Sequence, residues 1–141
     1  MQKADQKDMK AVVLNQENKI VQQFHHENRT WVRSLDFFRQ ENSFLKNRLS
    51  EIVDQTTDRS VLAQAEHFQN QFIIKDEFLD QLRHDVNEQE KVLTDRYART
   101  GREVEPDFSA RQDKLREQMV YLEKDFTALR NEFNRYLTAS I

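Results

Sequence analysis

A single glycine, Gly101, and a single proline, Pro106, serve all 141 residues, and both fall in one stretch, RTGREVEPD, from Arg99 to Asp107. Sheets and α/β folds of this length need many tight turns, and tight turns need Gly, Pro and Asn-Gly steps. A chain so poor in turn residues is left with long helices. Its heavy use of Gln, Glu, Lys, Arg and Leu is that of long-helix and coiled-coil proteins. Ten phenylalanines set it apart from disordered polar chains, which hold few large aromatics.

Counting the apolar spacing places those helices. The first seam reads Val21, Phe24, Asn28, Trp31, Leu35, Phe38, Asn42, Leu45, Leu49, Ile52, stepping alternately by three and four. In heptad terms Val21 to Leu49 supply the a positions and Phe24 to Ile52 the d positions. The second seam runs Val61, Ala65, Phe68, Phe72, Lys75, Leu79, Leu82, Val86, Gln89, Leu93. The third runs Phe108, Gln112, Leu115, Met119, Leu122, Phe126, Leu129, Phe133, Tyr136. Helices are therefore expected at about 18–54, 58–99 and 107–139. DQTTDRS, with Thr57 or Asp58 as N-cap, breaks the first from the second. Gly101 as a left-handed C-terminal cap and Pro106 as a helix opener break the second from the third.

The fold class is all-α, an antiparallel up-down-up bundle of three long coiled-coil-like helices. Residues 15–141 form one helical-bundle domain. Residues 1–14 read either as a flexible N-terminal segment or as an extension of helix 1 through Met9 and Val13.

Composition excludes more than it assigns. Hydrophobic residues make up 37% and charged residues 33%, with a formal net charge of −3 spread over alternating signs. No basic block or basic stripe offers itself to a phosphate backbone, so nucleic-acid binding is not expected. A basic amphipathic helix for a membrane surface is missing, and the longest aliphatic run, AVVL, cannot span a bilayer. Zero cysteine removes disulfides, thiolate metal sites and thiol catalysis. The opening MQKADQKDMK lacks the apolar stretch of a signal peptide, so a cytoplasmic location is expected. No nucleophile elbow, phosphate-cradling loop or cofactor motif stands in the sequence, and neither catalysis nor a cofactor is expected.

Several residues break the pattern. Asn28 and Asn42 occupy a positions, where a buried amide costs stability but fixes register and oligomeric state. Lys75, Gln89 and Gln112 interrupt the other seams and admit the same reading or an outward, snorkelling one. Phe37 and Phe44 fall at c positions, Ile73 and Ile74 at b and c of helix 2, and Val120 and Tyr121 at b and c of helix 3. All but Phe44 lie in the middle third of their expected helices, and Phe44 stands just beyond it. They suit either a broad inter-helix face or an exposed interface. The second alternative makes the chain a homo-oligomer, a two-fold dimer being favoured, or the partner of another helical protein.

QFHHENRTW, from Gln23 to Trp31, poses the remaining question. His25 and His26 are adjacent and point about 100° apart on a helix, so they cannot chelate one ion together. His84 and Glu88 are spaced to meet, but a single such pair is common by chance, and no metal is expected. HENRT, His26 to Thr30, resembles the H-box of sensor histidine kinases, His-Glu-x-Arg/Lys-Thr/Asn-Pro. That resemblance implies a phosphoryl-accepting His26, an acid Glu27 that helps take its proton, and a Thr30 that supports dephosphorylation. Asn28 stands where the motif has an apolar residue, and Trp31 replaces its proline. One glycine leaves no room for that family's glycine-rich nucleotide-binding domain. The alternative function is thus a phosphotransfer bundle fed by a separate kinase, and a metal-binding bundle ranks third. The leading expectation is a non-catalytic helical scaffold or protein-interaction module.

Overall fold

A computed structural model describes the backbone of residues 2–140 and the side chains of residues 19–140. Three helices follow one another, α1 (Gln2–Gln55), α2 (Arg59–Val92) and α3 (Pro106–Ser140), and a π-helical segment, Leu93–Ala98, continues α2. The side chains of Met9 and Val13, on which an extended first seam depends, lie outside the described residues.

The direction of each helix is read from its partners. Residues 28, 36 and 42 of α1 bond residues 90, 83 and 76 of α2, so these two run antiparallel. Phe24, Glu27 and Phe38 of α1 meet Phe108, Arg116 and Phe126 of α3, so α1 and α3 run parallel. The result is the expected up-down-up three-helix bundle.

Local chemistry sets the breaks. Asp58 is extended and its carboxylate accepts from the amides of Ser60 and Val61, satisfying two donors that the first turn of α2 leaves free. Gly101 adopts φ +63°, and its amide donates to the Tyr97 carbonyl at 3.1 Å. Pro106 is the first residue of α3, where its missing N–H costs nothing.

The π-helical segment is the feature that heptad counting misses. After Leu93 the next d position is Arg96, a residue that does not belong in a core. Widening the turn carries Arg96 outward, to 3.8 Å from Glu105, and brings Tyr97 into the interior at 2% exposure. There the Tyr97 ring packs edge-on to Phe108 at 5.1 Å, and its hydroxyl accepts from the Glu105 amide. A π-bulge at this point resolves a conflict between helix period and sequence.

All nine seam residues of α3 are buried, and in α2 only Val61 is partly exposed. The core divides into three apolar clusters. One is rich in aromatics, with Phe68, Phe72, Phe126, Phe133 and Tyr136. The central one is mostly aliphatic around Leu35, Leu82, Val86 and Leu122, and the third joins Leu93, Tyr97 and Phe108. Phe126 is fully buried and meets Phe38 at 5.1 Å, so Phe126→Ala is expected to lower unfolding free energy by about 3–5 kcal/mol through lost transfer energy and a cavity. A Cβ at Gly101 meets nothing within 4 Å, so Gly101→Ala carries only the left-handed backbone cost of about 1–2 kcal/mol. Urea unfolding followed by circular dichroism measures both, and equal losses would contradict this assignment of causes.

Candidate functional site

Two polar layers separate the three apolar clusters. Between the central cluster and the Tyr97 end, one polar seam residue from each helix meets at the axis: Asn28, Gln89 and Gln112, all 5% exposed or less. Gln112 Nε2 donates to Asn28 Oδ1 at 2.8 Å and to Glu27 Oε1 at 2.9 Å, while its Oε1 accepts from Gln89 Nε2 at 3.2 Å. Asn28 Nδ2 donates to Glu90 Oε2 at 2.9 Å, and Gln89 also reaches the Phe108 carbonyl. The amides thus exchange donors and acceptors across all three helices, which is the condition for a buried polar layer to be tolerated.

Charged groups close this layer from outside. Arg116 holds the Glu27 carboxylate with two bonds, Nε at 2.7 Å and an Nη at 2.8 Å, and its other Nη donates to Asp113. Hydrogen bonds to Glu27 and then Asp113 raise the Arg116 pKa further above its ordinary value. On the opposite flank the His25 Nδ1 pairs with the second oxygen of Glu90. Sequence reading singled out Asn28, Gln89 and Gln112 as seam interruptions. It missed Glu90 and Arg116, whose flanking positions resemble those of any solvated charge.

The second layer lies where the aromatic and central clusters meet. Asn42, fully buried, donates to the Phe72 carbonyl at 3.0 Å and to Asp76 at 2.7 Å, and Lys46 pairs with the other Asp76 oxygen. Lys75, also buried, reaches Asp125 of α3 and lies 6.0 Å from the centre of the Phe78 ring. Desolvation lowers the Lys75 pKa even with that carboxylate beside it. Asn42 Oδ1 is the one buried side-chain N or O atom without a partner among the described residues.

The H-box-like residues lie in different surroundings. His26 is exposed, but Glu27 turns toward α3 and is held there by Arg116 and Gln112. The Thr30 hydroxyl donates back to the His26 carbonyl at 2.9 Å. Among the described residues no three His, Asp or Glu side chains converge on one point, and none of the helices there is long and apolar enough to cross a membrane. A cleft between α2 and α3 is lined by Asp85, Glu88, Arg111 and Lys114, with Val92 and Leu115 beside them.

The six apolar residues singled out at b and c positions are all exposed, from 47% at Ile73 to 60% at Phe44 and Tyr121. They do not make one belt. On α1 the flank bearing Lys46 and His25 faces α2, and the flank bearing Glu27 faces α3. Three- and four-residue steps from Glu27 lead through Thr30 and Ser34 to Phe37 and then Phe44, so both rings border the α1/α3 groove. Val120 sits one turn beyond Arg116 and borders the same groove. Tyr121 instead meets Phe78 of α2 at 6.1 Å, edge to face, with Ile74 on that α2 flank, while Ile73 lies toward α1.

No family model, curated protein or solved structure matches the chain.

Two outcomes follow from the layers. Gln112→Ala strips partners from Asn28 and Gln89 and is expected to cost about 1–3 kcal/mol per orphaned group. The triple change of Asn28, Gln89 and Gln112 to leucine is expected to hold or gain stability but to broaden the amide spectrum in two-dimensional NMR as register loosens. A sharp, wild-type-like spectrum would refute the register role. For Lys75 the folded pKa lies below the unfolded 10.5, so the burial penalty is complete below the folded pKa and fades as pH rises toward 10.5. Lys75→Met is therefore expected to exceed wild type in stability at pH 7, with the gap narrowing by pH 10 in urea titrations; a gap independent of pH speaks against it.

Proposed function

We propose that this chain is a non-catalytic helical interaction module, a scaffold that works in the cytoplasm by self-association or by binding another helical protein. The observation that carries this reading is the contrast between interior and surface. Nearly every seam position is filled from within the bundle, yet Phe37 at 52%, Phe44 at 60% and Ile74 at 54% exposure stand in water at mid-height. Large apolar side chains displayed on a finished core are the usual mark of a protein interface.

Other features support a binding role over a chemical one. The buried amide side chains spend their hydrogen bonds on neighbouring side chains in the two layers. Mixed surface charge with a net −3 suits a protein partner better than nucleic acid. Sedimentation equilibrium at micromolar concentration tests the self-associating form: a mass that is a multiple of the 17.0 kDa monomer is expected. A monomer across that range sinks self-association and leaves affinity capture from the native host to find a helical partner.

A further inference from the structure

We propose that the self-association surface is the groove between α1 and α3, and that its occupant is a second copy of this chain running antiparallel about a two-fold axis. Phe37 of one copy then lies beside Phe44 of the other, and Glu123 faces the other copy's Arg130. This rests on the self-association reading above and adds the face and the orientation.

The α1/α3 groove is the one whose helices approach each other least. Its rims carry Phe37, Phe44 and Val120, all about half exposed, and beside them α3 presents a hollow lined by Val120, Glu123, Lys124, Thr127, Ala128 and Asn131. Thr127 and Ala128 are small and leave room for bulky rings from outside. By contrast the α2/α3 groove is covered at mid-height by its own residues, since Tyr121 packs on Phe78 and Lys75 lies over the same ring toward Asp125.

Charge supplies the partner and its direction. Glu123 and Arg130 are one heptad apart on the α3 flank that faces α1, and neither has an ion-pair partner among the described residues. Two α3 helices laid antiparallel across a two-fold axis between these residues make the pair twice, Glu123 to Arg130 and Arg130 to Glu123. Laid parallel in register, they would set like charge against like. Because Phe38 packs on Phe126, the midpoint of Glu123 and Arg130 lies within about one helical turn of the midpoint of Phe37 and Phe44. One axis therefore serves both contacts, as an isologous interface requires. The two grooves close on each other as a four-helix core of α1, α3 and their copies, with six apolar rim residues between them.

The absence of cysteine makes the geometry directly testable. Phe37→Cys mixed with Phe44→Cys is expected to oxidise to a cross-linked dimer faster than either variant alone, and faster than an Ile74→Cys control. Glu123→Arg and Arg130→Glu are each expected to weaken the dimer by about tenfold or more, because each sets like charges together twice. The double variant rebuilds both pairs with reversed sign and is expected to return to wild-type affinity. Circular dichroism verifies that these surface variants stay folded. A double variant as weak as its parents, or preferential cross-linking through Ile74, overturns this face while leaving self-association standing. A wild type that stays monomeric overturns both.

Discussion

The Gln112 amide is the point on which the alignment of the three helices turns. Its nitrogen serves α1 twice, at Asn28 and Glu27, and its oxygen serves α2 through Gln89. An apolar seam alone is nearly indifferent to sliding, since one heptad brings leucine or phenylalanine onto leucine or phenylalanine. Moving α3 by one heptad would present Met119 to Asn28 and Gln89 and leave their buried groups unpaired. Each such group costs about 1–3 kcal/mol, which outweighs the small difference in apolar packing between registers. Asn42 does the same for α1 against α2, because its donors are aimed at the Phe72 carbonyl and Asp76 and at no equivalent one heptad away.

These layers are not equally complete. At Gln112 the amides satisfy one another and charged side chains finish the ring, so the layer combines specificity with modest cost. At Asn42 one oxygen stays without a partner, and nearby Lys75 gives up part of its proton affinity to be where it is. A carboxylate that is itself two-fifths exposed returns only part of the desolvation of that ammonium. The waist of the bundle is thus its least stable-looking layer by polar accounting, and it is flanked by the aromatic cluster, where Phe68, Phe72 and Phe133 lie about 5–6 Å apart, centre to centre. Phe133 meets both of the other rings edge-on, packing that adds to simple burial and offsets part of the polar cost beside it.

Much of this was legible in the sequence, for identifiable reasons. Helix count, seam membership, Asp58 among the two candidate caps and the opening and closing roles of Pro106 and Gly101 follow from period and turn chemistry. The π-helical segment was not, because a heptad count assumes a constant period and so passes from Leu93 to Arg96 instead of Tyr97. Nor could the sequence say that Phe37 and Phe44 border α3 while Ile73 lies toward α1. A heptad pattern is symmetric between the two ways a three-helix chain can turn, and only the flanking contacts, His25 and Lys46 toward α2 and Glu27 toward α3, break that symmetry. The stretch QFHHENRTW shows both sides: Asn28 and Trp31 were readable as interior, but the commitment of Glu27 to Arg116, which separates it from His26, was not.

That same commitment connects the core to the surface. Glu27 begins the ridge that continues to Phe37 and Phe44, and Arg116 stands one turn before Val120 on the facing ridge. Arg116 is partly exposed, so charge attraction alone contributes little. Its two parallel bonds to one carboxylate, however, restrict distance and angle together. The Glu27–Arg116 clasp therefore sets how far apart the two ridges run as they climb toward the apolar residues at mid-height. A buried amide layer that holds register also holds the width of the groove above it. That is how the interior can set the shape of the outer surface.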